Sequence, residues 1–391
     1  MYTTRDVGLN SRIYMASQEA YPSLCMQYVF EGSGVLDVER WEKAVAIASA
    51  ADPSCRMVLT RHLNFSRFVD SGVTPPVRVI DSRQWDTYDS PSGAILNNFN
   101  PRTGPMAEVY LITGDQPRVA IRAHHAVMDG RGLMTWAEDI FRALRGEEVQ
   151  PSDDTIVEAD LLNHDYKPAK RVTGRFLAPT GRAQGAERGI TYMRKRITGS
   201  FSKIPAKIAL VLAREAWRHG KGNVRFGIPM DLRSRRPGLK STGNLTSAMF
   251  IQITPDMNLD DIVAEIRRKV AAREDGYATL EDRLMNYIPL KVLAELIQRD
   301  ADYSHKIGLY RYSGFISNVG LYKPEPFQGG GFTAHAVHAR PISGEAFPFS
   351  IVLIGFEGVE KKLDLFAAVP KVLANNGRME ALLDRIIEGL A

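Results

Sequence analysis

The sequence has few cysteines and no long apolar run, and both absences narrow what the protein can be. Among its 391 residues only Cys25 and Cys55 are cysteines, and they do not form a CxxC pair. A disulfide-stabilised scaffold and a thiolate zinc site are therefore excluded. No stretch approaches the roughly 18 consecutive apolar residues of a membrane helix, so we expect no membrane-spanning segment and no membrane partner.

The composition is typical of a globular protein. Hydrophobic residues make up 44% of the chain and charged residues 24%, so it can bury sizeable cores, and its length suits two to three domains. The N-terminus lacks the basic end, apolar core and small-residue cleavage site of a secretory signal. A cytoplasmic location is therefore expected.

Positive charge is concentrated in the middle of the chain. The net charge is +5, but residues 165–240 hold 19 Lys and Arg against 4 Asp and Glu, an excess of +15 that leaves −10 for the rest. This region is either a solvated face opposite acidic neighbours or a surface that attracts an acidic ligand. Because its basic residues are not interleaved with a known reader motif, nucleic-acid binding is not expected.

Apolar spacing and turn residues predict the local structure of the N-terminal region. Residues 5–30 mix short apolar clusters with polar residues and end at a Glu-Gly-Ser-Gly turn, which predicts a strand. A helix follows, with Asp37 as its N-cap. Two strand-like runs, 106–113 and 118–124, predict a hairpin, and the apolar spacing after it predicts another helix.

The chain is predicted to be an α/β protein in two halves. Residues 166–189 are rich in Gly, Pro and Arg, which predicts a linker. The N-terminal half is then 1–165, and the C-terminal half is 190–391, where strand and helix patterns continue to the last residues.

The strongest chemical signal is the run His124-His125-Ala126-Val127-Met128-Asp129-Gly130 at a predicted strand-to-helix junction. It has three interpretations: a metal site, a structural cluster, or an acid/base centre. Consecutive side chains of a strand point to opposite faces, so the two histidines cannot easily reach one ion, and we expect no metal. For the same reason only one histidine is predicted to be catalytic, and the other should face the interior and hold the turn.

This HHxxxDG pattern resembles the signature of the chloramphenicol acetyltransferase-like superfamily, which includes nonribosomal peptide synthetase condensation domains, polyketide-associated acyltransferases and wax ester synthases. Residues 11–18 and 32–59 resemble the first two condensation-domain motifs, 228–253 resembles the strand and loop with a Gly-Asn pair, and 314–320 resembles the SNxG strand. No DFGWG sequence is present, which counts against the plant BAHD branch.

The resemblance implies an architecture. The two halves should have similar folds, each a mixed sheet with helices, arranged in a V with the active site in a tunnel between them. Because one chain of this length holds both halves, a monomeric, stand-alone enzyme is expected.

The resemblance also implies roles for the residues of the motif. His125 would be the catalytic histidine, because a neutral imidazole can accept the proton of an attacking amine or hydroxyl. Gly130 would open a helix whose backbone amides stabilise an oxyanion. His124 and Asp129 would be structural, and Asp129 is expected to pair with Arg56, which matches an arginine of the family motif.

Three further residues are possible substrate-tunnel residues in this resemblance: Asn244, Ser317 and Asn318. Their alternative role is structural, in a turn or at a strand end.

The activity that the resemblance implies is acyl transfer. An acyl or aminoacyl group would move from a phosphopantetheine thioester, on an acyl or peptidyl carrier protein or on coenzyme A, to a small-molecule amine or alcohol in natural-product biosynthesis. No cofactor would be permanently bound, since the thioester is a substrate. Both donors are acidic, and the many basic residues of 165–240 favour a carrier protein. The alternative is a carrier-docking or scaffold protein with a degenerate site.

Overall fold

A computed structural model describes residues 3–21, 24–85, 98–162, 174–199, 201–274, 284–357 and 362–390. Its strands are β1 Thr4–Asp6, β2 Cys25–Gly34, β3 Met57–Thr60, β4 Arg67–Asp70, β5 Val77–Asp81, β6 Ala107–Thr113, β7 Arg118–His124, β8 Ile190–Thr198, β9 Val224–Asp231, β10 Thr246–Ile253, β11 Gly314–Tyr322, β12 Gln328–Gly329, β13 Phe332–Arg340, β14 Ser350–Phe356 and β15 Lys362–Pro370. Its α-helices are α1 Leu9–Ala20, α2 Val38–Ala51, α3 Gly130–Leu144, α4 Ile204–His219, α5 Leu259–Ala271, α6 Leu290–Ile307, α7 Lys371–Ala374 and α8 Arg378–Leu390.

Two six-stranded sheets and one small sheet organise these strands. The first sheet has the order β12-β13-β2-β7-β6-β5, the second has β10-β9-β11-β14-β15-β8, and the small sheet has β1-β4-β3. Strand β5 is parallel to β6, and β11 is parallel to both β9 and β14, whereas the other pairs are antiparallel. The predicted fold class is confirmed: the protein is α/β, with two mixed sheets and helices.

Each large sheet has its own hydrophobic core. Helices α2 and α3 pack together beside the first sheet, where the rings of Trp41 and Phe141 meet edge to face at 5.4 Å and both side chains are fully buried. Helices α4 and α8 pack together on the second sheet through residues such as Leu212 and Leu383. Each fully buried side chain of this size contributes about 1.5–3 kcal/mol, so the predicted apolar stripe of α3 is sufficient to dock it.

The prediction of a strand over residues 5–30 is wrong for its first part, which contains α1. The buried residues of this helix are Ser11, Arg12, Met15, Ala16 and Ser17, so most of its inner face is polar or small. Its polar side chains are satisfied by distant partners, because the Ser11 hydroxyl donates to the Ala126 carbonyl at 2.7 Å. Apolar periodicity cannot reveal a helix that is held by hydrogen bonds of this kind.

The two sheets do not follow the predicted division of the chain. Strand β13, from the predicted C-terminal half, pairs antiparallel with β2 in the first sheet and brings Val337 opposite Phe30. The first sheet therefore combines residues from both predicted halves. Within the predicted linker, residues 166–173 lie outside the described residues, and the boundary there stays a prediction.

In the described part of the chain, no helix is both long enough and apolar enough to span a bilayer.

Candidate active site at the turn between β7 and α3

The histidine run forms a tight turn between the end of β7 and the start of α3. His124 is fully buried, and its Nδ1 accepts a hydrogen bond from the backbone amide of Ala126 at 2.9 Å. The Val127 amide donates to the His124 carbonyl at 3.0 Å, which closes the turn. Burial, assisted by the neighbouring His125, lowers the pKa of His124 to about 3, so this ring is neutral at pH 7.

The second histidine of the run is held in one tautomer. His125 Nδ1 lies 3.0 Å from the carbonyl oxygen of Met128, and since a carbonyl can only accept, Nδ1 must carry the proton. Nε2 then keeps its lone pair, and no described residue makes a hydrogen bond to it. Burial lowers the pKa of His125 to about 4, against the opposing charge of Asp129, so the imidazole is unprotonated at pH 7.

An aromatic ring from α1 lies on this imidazole. The ring centroids of Tyr14 and His125 are 3.9 Å apart and their planes differ by 10°. Helix α1 is fastened to the turn by the Ser11 hydroxyl, which donates to the Ala126 carbonyl. Sequence patterns did not indicate Tyr14, because the helix that presents it was not predicted.

The carboxylate of Asp129 is fully buried and fully hydrogen-bonded. Its Oδ1 accepts from the Gly132 amide at 2.7 Å, which caps α3, and from Arg233 Nη2 at 3.1 Å. Its Oδ2 accepts from the Leu245 amide at 2.6 Å and from Arg233 Nη1 at 3.0 Å. Burial alone would raise the pKa of Asp129, but the Arg233 charge and these hydrogen bonds lower it overall, so the group is ionised.

The predicted pair of Arg56 with Asp129 is wrong. Arg56 Nη2 instead donates to Asp70 Oδ2 at 2.5 Å, next to the small sheet. The arginine that reaches Asp129 is Arg233, 104 positions along the chain. Nothing in the local spacing distinguishes the two arginines, because only the packing of β9 and its following loop against the turn brings Arg233 near.

The side chain of Asn244 reaches the backbone of the turn. Its Nδ2 donates to the His125 carbonyl at 2.7 Å, and the side chain is buried. This loop approaches α3 so closely that a Cβ on Gly132 would lie 2.2 Å from the Thr242 carbonyl oxygen. Asn244 therefore has a structural contact with the candidate site, and its predicted place in a substrate tunnel stays a prediction.

Ser317 and Asn318 lie on β11, near the middle of the second sheet. Ser317 is half-buried opposite Val352, whereas Asn318 is exposed at an irregularity in the pairing that ends at Gly320. Within the described residues, no hydrogen bond or ion pair joins either residue to His125. Their role as tunnel residues also stays a prediction.

Many basic residues of the 165–240 region have acidic partners inside the fold. Ten of its sixteen described lysines and arginines form ion pairs, namely Arg175, Arg188, Arg194, Lys195, Arg196, Lys203, Arg218, Arg233, Arg236 and Lys240. The structure therefore favours the first interpretation of the charge excess, a basic region with acidic neighbours. The structure gives less support than the sequence does to the hypothesis that this region attracts an acidic carrier protein.

Among the described residues, neither cysteine side chain makes a hydrogen bond to the turn. Cys25 Sγ accepts from Arg122 Nη2 at 2.8 Å, and the Cys55 thiol donates to the Asp52 carbonyl at 3.0 Å. Among the described residues, no group of three or more His, Cys, Asp or Glu side chains is placed to hold a metal ion.

This fold, with two six-stranded mixed sheets and helices, is similar to that of solved condensation domains. A mutant starter condensation domain of rhizomide synthetase RzmA, in complex with C8-CoA and Leu-SNAC, matches with a TM-score of 0.69 and 15% identity over 99% of this chain and 93% of that chain. The condensation domain of the monacolin K polyketide synthase MokA matches with a TM-score of 0.61 and 13% identity, over 99% and 96% of the two chains.

A third similar structure is polyketide synthase associated protein 5 from Mycobacterium tuberculosis, with a TM-score of 0.63 and 13% identity over 99% of this chain and 98% of that chain. No protein-family model and no curated protein matches the sequence. At these identities the likeness establishes the fold and leaves the chemistry to the site itself.

Proposed function

We propose that this protein is an acyltransferase that moves an acyl or aminoacyl group from a phosphopantetheine thioester to a small-molecule amine or hydroxyl, in natural-product biosynthesis. The observation that carries the proposal is the state of His125: Nδ1 is occupied by the Met128 carbonyl, while Nε2 keeps a lone pair. A neutral imidazole in one fixed tautomer is suited to general-base catalysis. The fold supports the same class of reaction, since a neighbour with this fold was solved in complex with C8-CoA and Leu-SNAC.

The reaction would proceed by attack of the amine or hydroxyl on the thioester carbonyl carbon. His125 Nε2 takes the proton of the attacking group once the new C–N or C–O bond has formed. The tetrahedral oxyanion would lie near the N-terminus of α3, where the Gly130 amide offers positive potential. When the C–S bond breaks, the thiolate takes the proton from the imidazolium, and an amide or ester and a thiol are released.

The low pKa of His125 determines at which step of the reaction the proton passes from the nucleophile to the imidazole. An imidazole with a pKa near 4 is a weak base toward a free amine or alcohol. Once the amine nitrogen has attacked the carbonyl, it carries positive charge and its proton becomes acidic enough to transfer. His125 would therefore act on the bound intermediate, and correct placement of the two substrates would supply the remaining rate enhancement.

The proposed acyl donor is a phosphopantetheine thioester, carried either by coenzyme A or by an acyl or peptidyl carrier protein. Because most basic residues of 165–240 are already ion-paired, charge in this region does not select one of the two. No other cofactor takes part in the proposed reaction.

Intact-mass spectrometry tests the proposal directly. The wild-type protein is incubated with octanoyl-CoA or with an octanoyl-loaded carrier protein, together with a panel of small amines and alcohols. We expect release of free thiol and a product whose mass is the sum of acyl group and acceptor, with wild-type protein and with the control His62→Ala, since His62 is exposed. Tight binding of a loaded carrier without consumption of any thioester would contradict the proposal and favour a scaffold.

A further inference from the structure

Two contacts, one of them with Tyr14, restrict the rotation of the His125 ring. Neither contact involves Nε2, the nitrogen that the proposed reaction needs. One edge of the imidazole is held through Nδ1 by the Met128 carbonyl. One face is covered by the Tyr14 ring, parallel within 10° and 3.9 Å away. A planar ring that is fixed along one edge and stacked on one face cannot rotate without losing both contacts. No described residue makes a hydrogen bond to the Nε2 edge.

The stacked geometry follows from how α1 is attached. Ser11 and Tyr14 are three residues apart, so they lie on the same face of the helix. Since the Ser11 hydroxyl binds the Ala126 carbonyl, next to His125 in the chain, the next turn of α1 places Tyr14 over the imidazole. The start of the helix is also tied to the second sheet, because Asn10 Nδ2 donates to the Thr246 carbonyl at 2.8 Å. The contact is thus set by two anchors on different parts of the fold.

Charge explains why an aromatic ring is useful at this place. The buried imidazole is neutral at rest and becomes an imidazolium when it takes the proton of the nucleophile. The carboxylate whose charge acts on His125, that of Asp129, already accepts hydrogen bonds from Arg233 and two backbone amides. Burial, together with Asp129 and Glu158, raises the pKa of Tyr14, so its ring is an uncharged phenol. The π face of an aromatic ring attracts a cation.

We propose that Tyr14 is a positioning residue for His125, whose ring holds the imidazole in plane and stabilises the positive charge that develops on it. The assignment of a chemical role to His125 rests on the proposed function. Because the attraction exists only when the imidazole is charged, it should lower the barrier and leave substrate binding unchanged. A desolvated cation–π contact corresponds to an effect of about 3- to 30-fold on the rate.

A reagent that needs no acyl substrate tests the inference. Diethyl pyrocarbonate is attacked by the unprotonated nitrogen of imidazole, and positive charge develops on the ring in that step as in proton transfer. The labelling rate of His125 is followed by peptide mass spectrometry at pH 7 in the full chain, with the exposed His62 as an internal reference. The proteins compared are wild type, Tyr14→Phe, Tyr14→Leu, and Tyr287→Leu as a matched control at an exposed tyrosine.

We expect Tyr14→Phe and Tyr287→Leu to label His125 at the wild-type rate and Tyr14→Leu to label it about 3- to 30-fold more slowly. If thioester turnover is found, Tyr14→Leu should lower kcat by a similar factor with KM unchanged. The kcat of Tyr14→Phe should equal that of the wild type. An unchanged or faster labelling rate in Tyr14→Leu, with its melting temperature preserved, would overturn the inference. An equally slow labelling rate in Tyr14→Phe would also overturn the inference, because the effect would then come from the tyrosine hydroxyl.

The outcomes separate this inference from the proposed function. Slower labelling in Tyr14→Leu without any acyl transfer in the wild type would support the effect of the ring on His125 and count against acyl transfer. Normal labelling in Tyr14→Leu, in a wild-type protein that turns over thioesters, would leave the proposed function intact and remove Tyr14 from it. If Tyr14→Leu fails to fold, 15N spectra of histidine in wild type and Tyr14→Phe decide, because the inference requires the same Nδ1-protonated tautomer in both.

Discussion

His124 and His125 are neighbours in the chain, yet the structure gives them opposite tasks. His124 accepts a backbone hydrogen bond and stabilises the turn, whereas His125 donates from Nδ1 to a carbonyl and keeps Nε2 for another group. Both rings are neutral at pH 7, because burial disfavours their charged forms.

Replacing His125 with alanine is expected to lower acyl transfer by at least about 100-fold, which is the lower range of general-base catalysis. The fold should persist, because the turn is held by His124 and Asp129. Turnover is measured by intact mass and folding by thermal melting, with His62→Ala as the control. Turnover close to that of the wild type would remove the general base from the proposed reaction.

The pair of Asp129 and Arg233 predicts a strong energetic coupling. Removing either residue breaks this buried ion pair, although Arg233 keeps a second contact with Asp231, and breaking a buried pair typically costs about 3–5 kcal/mol of unfolding free energy. We therefore expect Asp129→Ala and Arg233→Ala each to be strongly destabilising in urea, and the double variant to be little worse than either single one.

Arg56→Ala provides the matched control for this double-mutant cycle. Because Arg56 pairs with Asp70, its effect should add to that of Asp129→Ala. Additive losses for Asp129 and Arg233, or coupled losses for Asp129 and Arg56, would show that the ion pairs are not those of the structure.

At the scale of elements, the site depends on the contact between α3 and the loop 241–245. The loop meets the first turn of α3, where Asp129 accepts from the Leu245 amide and Arg233 Nη2 donates to the Gly243 carbonyl at 2.6 Å. Asn244 adds a hydrogen bond to the His125 carbonyl. The loop thus couples the second sheet to the histidine turn.

Gly132→Ala is expected to separate these two elements. The new methyl group would lie 2.2 Å from the Thr242 carbonyl oxygen, so the loop or the helix must move. We expect the unfolding free energy to fall by about 1–3 kcal/mol, as for other overpacking changes. We also expect turnover to fall, because the histidine turn contacts the same loop. Gly220→Ala is the control, because its Cβ would meet only Leu177 at 3.8 Å. Wild-type stability in Gly132→Ala would contradict this close approach.

Elements with apolar periodicity could be predicted from the sequence, and those without it could not. The sequence predicts a hairpin at 106–113 and 118–124, which the structure contains as β6 and β7, because alternating apolar residues and a glycine turn are local signals. Helix α1 was missed because its inner face is polar. Tyr14, which it carries, was missed for the same reason.

At the scale of the whole molecule, charged residues connect the two large sheets. Arg194 and Arg196 of β8 each contact Asp364 of β15 and also Glu31 of β2. Glu31 further lies 3.4 Å from Nδ1 of His338, which is buried on β13. Burial lowers the pKa of His338 to about 4, although Glu31 opposes this.

Stability is therefore expected to fall as the pH drops from about 6.5 to about 4. Three buried histidines, at positions 124, 125 and 338, bind protons in the unfolded chain in this range but not in the native protein. Each costs about 2 kcal/mol at pH 5. Asp52, Glu138 and Glu158 act in the opposite direction, since burial raises the pKa of each carboxyl group, that of Asp52 to about 8. The lowered pKa values of Glu31, Asp129 and Asp154 add to the loss of stability as these carboxylates are protonated.

Urea unfolding at pH 7 and pH 5 measures this effect. In His125→Gln the loss of stability between the two pH values should be smaller than in the wild type by about 2 kcal/mol, because one of the three histidines no longer titrates. His62→Gln, at an exposed position, should behave like the wild type. An equal loss in His125→Gln and wild type would mean that this ring is not buried in its neutral form.

The sequence by itself determined the α/β class, the hairpin and helix that flank the histidine turn, and the pattern HHxxxDG within it, because each depends on residues close together in the chain. Only the tertiary structure decided that Arg233, and not Arg56, neutralises Asp129, that β13 completes the first sheet, and that Tyr14 covers His125. These contacts join residues roughly a hundred or more positions apart. Their partners are selected by the packing of whole elements, which local spacing does not encode.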